Sequence, residues 1–440
     1  MRVRTVAIVS LGCAKNLVNS EQMAAKLILA GYEIVPEADG ADAVVVNTCG
    51  FIDAAKREAI DAILEAGELK KAGRLRKIIV AGCLAERYCD EIARDLPEVD
   101  AIVGVGAFGE IVAAVEAAVS GSPLVLTAPP EAADDDAPRI QTTPRAWAYL
   151  KIADGCDNRC AFCVIPQIRG RYRSRKPERV IAEARHLTEN GARELILIAQ
   201  DTTRYGSDLK SGANLASLLR ELAEIDGLRW IRVHYMYPDA VSDELLALFA
   251  EGGKLLPYFD IPVQHINGAI LKSMRRRGTA EDIRTLFAKI RARVPGAVIR
   301  TSLIAGLPGE GEAEFDEICA FLRESGIERA GVFAFSPEEG SEAYGMPRPD
   351  DETAARRAEL LSDVAAENAL KYAGSRAGSL TEVLIEEKTD GGYLARSFAE
   401  SPDVDGYITV VAKDGALCTG EFRTVTITEA RDGVPVAFLK

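Results

Sequence analysis

No stretch of eighteen consecutive apolar residues occurs in this chain, so no helical membrane span is expected. The start, Met1-Arg-Val-Arg-Thr, lacks a signal-peptide apolar core and cleavage site, and a cytoplasmic location is expected. Positive charge is in deficit. The 53 Lys and Arg against 67 Asp and Glu leave −14, which argues against a nonspecific nucleic-acid binder and suits a basic protein partner better. Histidine is scarce, with three in 440 residues. Cysteine is not: nine in a chain without secretory features point to metal or redox chemistry and away from a disulfide framework. With 48% hydrophobic and 27% charged residues, the composition is that of an ordinary globular protein, and the length suggests about three domains.

The densest cysteine run is Cys156-Asp-Asn-Arg-Cys160-Ala-Phe-Cys163, a C-x₃-C-x₂-C spacing fed by a predicted strand over 148–153. Structural zinc wants four ligands, usually as two separated pairs. A four-iron cubane held by three cysteines keeps one iron open to a non-protein ligand. Radical chemistry from S-adenosylmethionine (AdoMet) is a known use of such a centre.

Residues 1–128 alternate buried-type strands (6–10, 43–47, 77–81, 101–105) with helical patterns (20–30, 53–72, 85–95, 110–119), implying a doubly wound parallel α/β domain. Cys13, Cys49 and Cys83 each fall just past a strand's C-terminal end, the edge where such sheets bind ligands. Neighbouring strands lie about 4.8 Å apart, so three such loops can converge on one second cluster. Cys89, Cys319 and Cys418 share no such pattern and read as packing residues. Gly104-Val-Gly-Ala-Phe-Gly109 matches a dinucleotide fingerprint but lacks the acidic residue about twenty positions on, and reads as a tight turn before a helix.

The acidic, proline-flanked segment 129–141 reads as a linker or surface loop. From 142 to 373, six strand–helix units without a seventh or eighth suggest a partial (β/α)₆ barrel, whose site lies at the strands' C-terminal face. That face collects Gln200, His234, His265 and Arg300, while His186 falls mid-helix. Arg169, Arg171, Arg173, Arg175 and Lys176 form a basic run that is either a solvated surface or a receptor for an AdoMet or substrate carboxylate. From 374 to 440 the period switches to two, arguing a small antiparallel β-barrel. Seven basic against eleven acidic residues give that barrel −4, which repels phosphate.

Three N-terminal cysteines, then C-x₃-C-x₂-C, then a β-barrel: over nearly the whole chain this order resembles the radical AdoMet methylthiotransferases, whose C-terminal barrel is the TRAM type. Tyr258-Phe-Asp-Ile-Pro-Val-Gln-His265, Gln200-Asp-Thr-Thr-Arg-Tyr-Gly206, His234-Tyr-Met-Tyr-Pro238 and Pro402-Asp-Val-Asp-Gly406 look like the branch that modifies an aspartate of protein twelve of the small ribosomal subunit. The tRNA-modifying branch, the alternative, typically has Pro-x-Gln-Ser-Gly where this chain has Pro262-Val-Gln-His-Ile266. The resemblance implies two 4Fe-4S clusters, one on Cys13, Cys49 and Cys83 and a catalytic one on Cys156, Cys160 and Cys163. It implies two AdoMet molecules, one methylating a cluster-borne sulfur and one yielding a 5′-deoxyadenosyl radical. It places Phe162 and Ile165 at the adenine, with Gln200 and Arg300 as further AdoMet candidates. The implied partners are a basic ribosomal protein as substrate, possibly on the ribosome, and an electron donor such as a flavodoxin. A non-enzymatic Fe–S electron carrier and a zinc-dependent RNA-binding protein are the rival classes. Only an enzyme of this kind requires the first domain's strand ends to cap the barrel mouth.

Overall fold

The computed structural model describes residues 4–412, 415 and 417–439. Met1–Val3 of the expected leaderless start, and Lys413, Asp414 and Lys440 of the barrel charge count, lie outside them. Among the described residues no helix is long and apolar enough to cross a membrane.

Six parallel strands form the first sheet: β1 (Thr5–Ser10), β2 (Glu33–Val35), β3 (Ala43–Thr48), β4 (Lys77–Gly82), β5 (Ala101–Val103) and β6 (Leu124–Leu126), in the order β2-β1-β3-β4-β5-β6. Every residue of β3 is buried, because helices cover both faces and an alternating pattern would leave polar groups in a core. The edge strands β2 and β6 were not expected. Three residues each, half-buried, they carry too short a period to show in sequence. Helix Ala14–Leu29 begins six residues earlier than expected, with Cys13 as its N-cap. The 104–109 segment is a tight 3₁₀ turn, Val105–Glu110, before helix Ile111–Ser120, as the missing acidic residue suggested.

The second sheet holds β7 (Trp147–Lys151), β10 (Glu194–Ile198), β11 (Trp230–Val233), β12 (Leu255–Asp260), β13 (Val298–Ala305) and β14 (Arg329–Ala334), all parallel and paired in chain order. A two-stranded ladder, β8 (Ala153–Asp154) with β9 (Arg173–Ser174), closes the loop that carries the cysteine run. The sheet is open, with β7 and β14 as its edges, as six units require. Period two divides its faces. Ala148, Leu150, Leu195, Leu197, Ile231, Val233 and Phe259 face the helices. Trp147, Tyr149, Ile196, Ile198, Trp230 and Tyr258 form a separate core on the opposite, concave face.

Five strands close the C-terminal barrel in the order β15-β16-β17-β19-β18: β15 (Leu380–Thr389), β16 (Gly392–Arg396), β17 (Ile408–Val411), β18 (Phe422–Arg431) and β19 (Val434–Leu439). It is not wholly antiparallel. The fifth strand, not foreseen, hairpins back from β18 and lies parallel to β17.

Between β16 and β17 the chain leaves this barrel as a strap, residues 397–407, and meets the concave face of the central sheet. Arg232 donates to Phe398 O at 2.8 Å, Tyr149 OH to Asp403 at 3.1 Å and Tyr258 OH to Asp405 at 2.6 Å. Buried Arg232 and Arg396 share the Glu194 carboxylate at 2.8 Å each. Buried charge is tolerated only with such partners, so the central sheet's interior is complete only with the strap in it.

The segment 129–141 is not a free linker. Asp135 pairs with buried Lys151 at 2.6 Å, Asp136 with Arg175 at 2.8 Å, and Arg139 bridges Glu21 of the first domain and Glu183 of the second.

Candidate active site: two cysteine triads at one barrel mouth

The first triad is assembled by the sheet. Cys13 caps the helix after β1, Cys49 follows β3, and Cys83 opens the short helix Cys83–Arg87 after β4. The loops touch so closely that side chains are excluded between them. Gly12, at φ +88°, would place a Cβ 2.6 Å from Cys49 Cβ, and Gly82, at φ +99°, one 2.5 Å from Thr48 O. Beneath the sulfurs Asn16 Nδ2 donates to Leu11 O at 3.0 Å and Thr48 O at 2.8 Å, locking the first two loops together.

The second triad is local. Cys160 Sγ lies 3.9 Å from Tyr237 OH and accepts from Arg276 Nη1 at 3.6 Å, while the Arg276 guanidinium stacks on the Tyr237 ring at 4.1 Å. Ile165 N donates to Cys163 Sγ at 3.4 Å. Asn158 is buried and donates to Asp201 at 2.8 Å, and Ala161 N bonds Met274 O at 3.0 Å, so the loop is clamped at both sides.

The triads differ electrostatically. Burial opposes a thiolate at Cys13, but Lys15 and Arg169 outweigh it and hold the thiol below its ordinary value. Burial, and then the neighbouring Cys83 and Cys13, push Cys49 up to about 12. In the second triad burial pushes Cys156 up to about 11 and raises Cys163 further, with Cys160 adding to both.

One mouth holds both. Helix Ile165–Arg169, directly after Cys163, packs Ile168 into the first domain's core beside Cys83 and Phe108. Lys15 lies 3.5 Å from the Tyr235 ring centroid at the end of β11, where Tyr235 holds the strained φ of +56°. On the far side Glu338, in the loop after β14, accepts from Lys56 at 3.1 Å and Arg87 at 2.7 Å.

Several expected residues take other places. The basic run is no single surface: Arg169 and Arg175 are buried in ion pairs, and Arg171 stands exposed on Asp157. Arg300 donates to Asp260 at 2.8 Å, with Asp405 at 3.8 Å, which engages it inside the chain. His234 bonds Ser401 Oγ at 2.8 Å, and burial pulls its pKa down to about 3, so it is a neutral tie to the strap. His265 pairs with Glu310 at 3.3 Å, and His186 is exposed beside Asn190. Phe162 packs half-buried against Ala161, Met274 and Phe335. Gln200 Nε2 donates to Asp154 at 2.8 Å, while its buried Oε1 has no protein partner. Cys319 is buried and Cys89 half-buried, as packing residues should be, but Cys418 is exposed. Lys15, Arg276 and Tyr237 were missed, and Arg169 was expected to meet a carboxylate, not a sulfur. Arg169, Arg276 and Tyr237 reach a sulfur from a distant segment, where spacing carries no signal, and Lys15 acts on Cys13 from two residues away.

The residues fit two iron–sulfur clusters. All six thiols are free, each triad's members act on one another electrostatically, and each triad has a cation on one of its sulfurs. Among the described residues no three His, Cys, Asp or Glu groups gather about one point as a single ion would need. A cubane, with irons at separate corners, takes its thiolates spread around it.

Known proteins agree. Residues 5–104 match the family described as "Uncharacterized protein family UPF0004", 150–322 the Radical SAM superfamily, and 377–433 the TRAM domain. A radical SAM methyltransferase, TsrM, from Kitasatospora setae shares the fold with a TM-score of 0.56 at 16% identity, covering 95% of this chain and 82% of that one. OxsB, a cobalamin-dependent radical enzyme, gives 0.51 at 15% identity, over 82% of this chain and 56% of its own. The class is therefore a radical SAM protein with an added cysteine-bearing α/β domain and a TRAM barrel. Proteins named "Ribosomal protein uS12 methylthiotransferase RimO" match from end to end: 44% identical in Thermoanaerobacter sp. (strain X514) and 45% in Caldanaerobacter subterraneus subsp. tengcongensis, each over 97% of this chain and 98% of the relative. The relative in Clostridioides difficile (strain 630) is 42% identical over 97% of each. The chain belongs to this methylthiotransferase family.

Proposed function

We propose that this protein adds a methylthio group to the β-carbon of an aspartate in ribosomal protein uS12, consuming two AdoMet. The observation that carries the reading is the convergence of two three-thiol sites on one barrel mouth. Cys156, Cys160 and Cys163 would hold a 4Fe-4S cluster that supplies one-electron reduction of AdoMet, and Cys13, Cys49 and Cys83 a second that supplies a site for the transferred sulfur.

The chain's own groups make the place for this chemistry. Arg276 and the Ile165 N–H bond the second triad's sulfurs and orient them. The unpartnered Gln200 Oε1 is an acceptor for the AdoMet ammonium, and Phe162 with Ile165 offers an apolar wall and backbone for the adenine. The strap closes the barrel interior, so the mouth is the way in and water is kept from reactive species. The acidic C-terminal barrel, at −4 over 374–440, suits a basic protein and repels tRNA. A flavodoxin-type donor and action on the assembled ribosome belong to the same proposal.

The test is anaerobic reconstitution followed by product analysis. Methylthio-aspartate in uS12, with tRNA unmodified, is expected. Modified tRNA with unmodified uS12 would overturn the substrate assignment.

A further inference from the structure

Arg169 belongs to the helix that follows Cys163, yet its wholly buried guanidinium lies in the first domain's cysteine site. Its Nη2 donates to Cys83 Sγ at 3.3 Å and Asn16 Oδ1 at 2.5 Å. Its Nη1 donates to Asn19 Oδ1 at 2.8 Å and Asp154 Oδ2 at 3.2 Å. Asp154 stands two residues before Cys156, where the chain enters the second triad's loop, and Arg169 where it leaves. One guanidinium thus fastens both ends of that loop to a sulfur of the other triad. A plain ion pair with Asp154 needs neither the contact with Cys83 nor the two asparagines.

We propose that Arg169 is a positioning residue that sets the spacing of the two triads and, through its N–H···S bond to Cys83, makes a cluster held there easier to reduce. The proposal rests on the reading that Cys13, Cys49 and Cys83 hold a cluster. Hydrogen bonds to cysteine sulfur set cluster potential, and a charged donor favours the reduced, more negative form. The planar fork, fixed by four acceptors, also has a rigidity that lysine, a single point of charge, cannot reproduce.

The experiment uses the reconstituted full chain with Arg169→Lys and Arg169→Met. Each is also made with Cys156, Cys160 and Cys163 changed to Ala, so that only the first-domain cluster remains. The readouts are that cluster's midpoint potential by EPR-monitored titration and, in the six-cysteine protein, the spin–spin broadening between the two reduced clusters. Arg169→Met should move the potential negative and weaken the broadening, and Arg169→Lys should do both to a smaller degree. If Arg169→Met fails to fold, Arg169→Lys decides: a negative shift supports the proposal and an unmoved potential overturns it. Iron content separates the two ways of failing. A triple-alanine parent without iron overturns the cluster reading and this proposal with it. About four irons there, with potential and broadening unmoved by either substitution, overturns this proposal alone.

Discussion

Two three-thiol sites are assembled by opposite routes. Cys156, Cys160 and Cys163 lie within eight residues and need only one clamped loop. Cys13, Cys49 and Cys83 are brought together by three parallel strands, and glycines must keep the loops clear of each other. The first site is thus a property of a folded sheet and the second of a short segment. Damage to the sheet should silence one without the other.

The largest effects come from the sulfurs. Changing Cys156, Cys160 and Cys163 to alanine should abolish AdoMet cleavage and lower iron from about eight to about four per chain. The same change at Cys13, Cys49 and Cys83 should remove as much iron, end methylthio transfer and leave AdoMet cleavage in place. Iron and sulfide assays with 5′-deoxyadenosine quantitation check both. Gly12→Ala should act as a partial copy of the second experiment. The Cβ meets Cys49 and the left-handed backbone costs about 1–3 kcal/mol, so first-domain iron falls while AdoMet cleavage persists.

Weaker effects sharpen how the domains are held. Glu338→Gln leaves Lys56 and Arg87 without their carboxylate, and about 1–3 kcal/mol of thermal stability should go, with the loss read by calorimetry. The smallest effect at neutral pH concerns His234. Its folded pKa lies near 3 against an ordinary 6.5, so below pH 6.5 the unfolded chain takes up a proton that the folded chain refuses. Stability should therefore fall as pH drops from 6.5 toward 3. His234→Gln should flatten that slope between pH 6.5 and about 4.5, above the range where carboxylates titrate. An unchanged slope in denaturant melts would show that the histidine is not the neutral tie described.

Much of this was legible because it is local or periodic. The buried strands β3 and β4 show as apolar runs, and three cysteines at equivalent strand ends show the first site before any coordinates. The C-x₃-C-x₂-C spacing shows the second. What stayed hidden is long-range. Arg169 sits in a basic run that resembles a solvated face, and only the fold reveals that it is buried against Cys83. His234 and Arg300 looked like mouth residues because they end or line barrel strands, but partners from the far C-terminal strap engage them. The acidic composition of 129–141 resembled a linker, though two of its four carboxylates, Asp135 and Asp136, are matched to the buried cations Lys151 and Arg175. Charge composition alone does not tell solvent from a counter-ion.

The strap also fixes the timetable of synthesis. Arg232 and Glu194 belong to the middle of the chain, but Arg396 and the Phe398 carbonyl that complete them are translated long afterwards. A polypeptide released early would have both triads in sequence and an unfinished interior. Arg396 and the strap arrive only with the last tenth of the message, so an incomplete product would leave Glu194 and Arg232 buried without those partners.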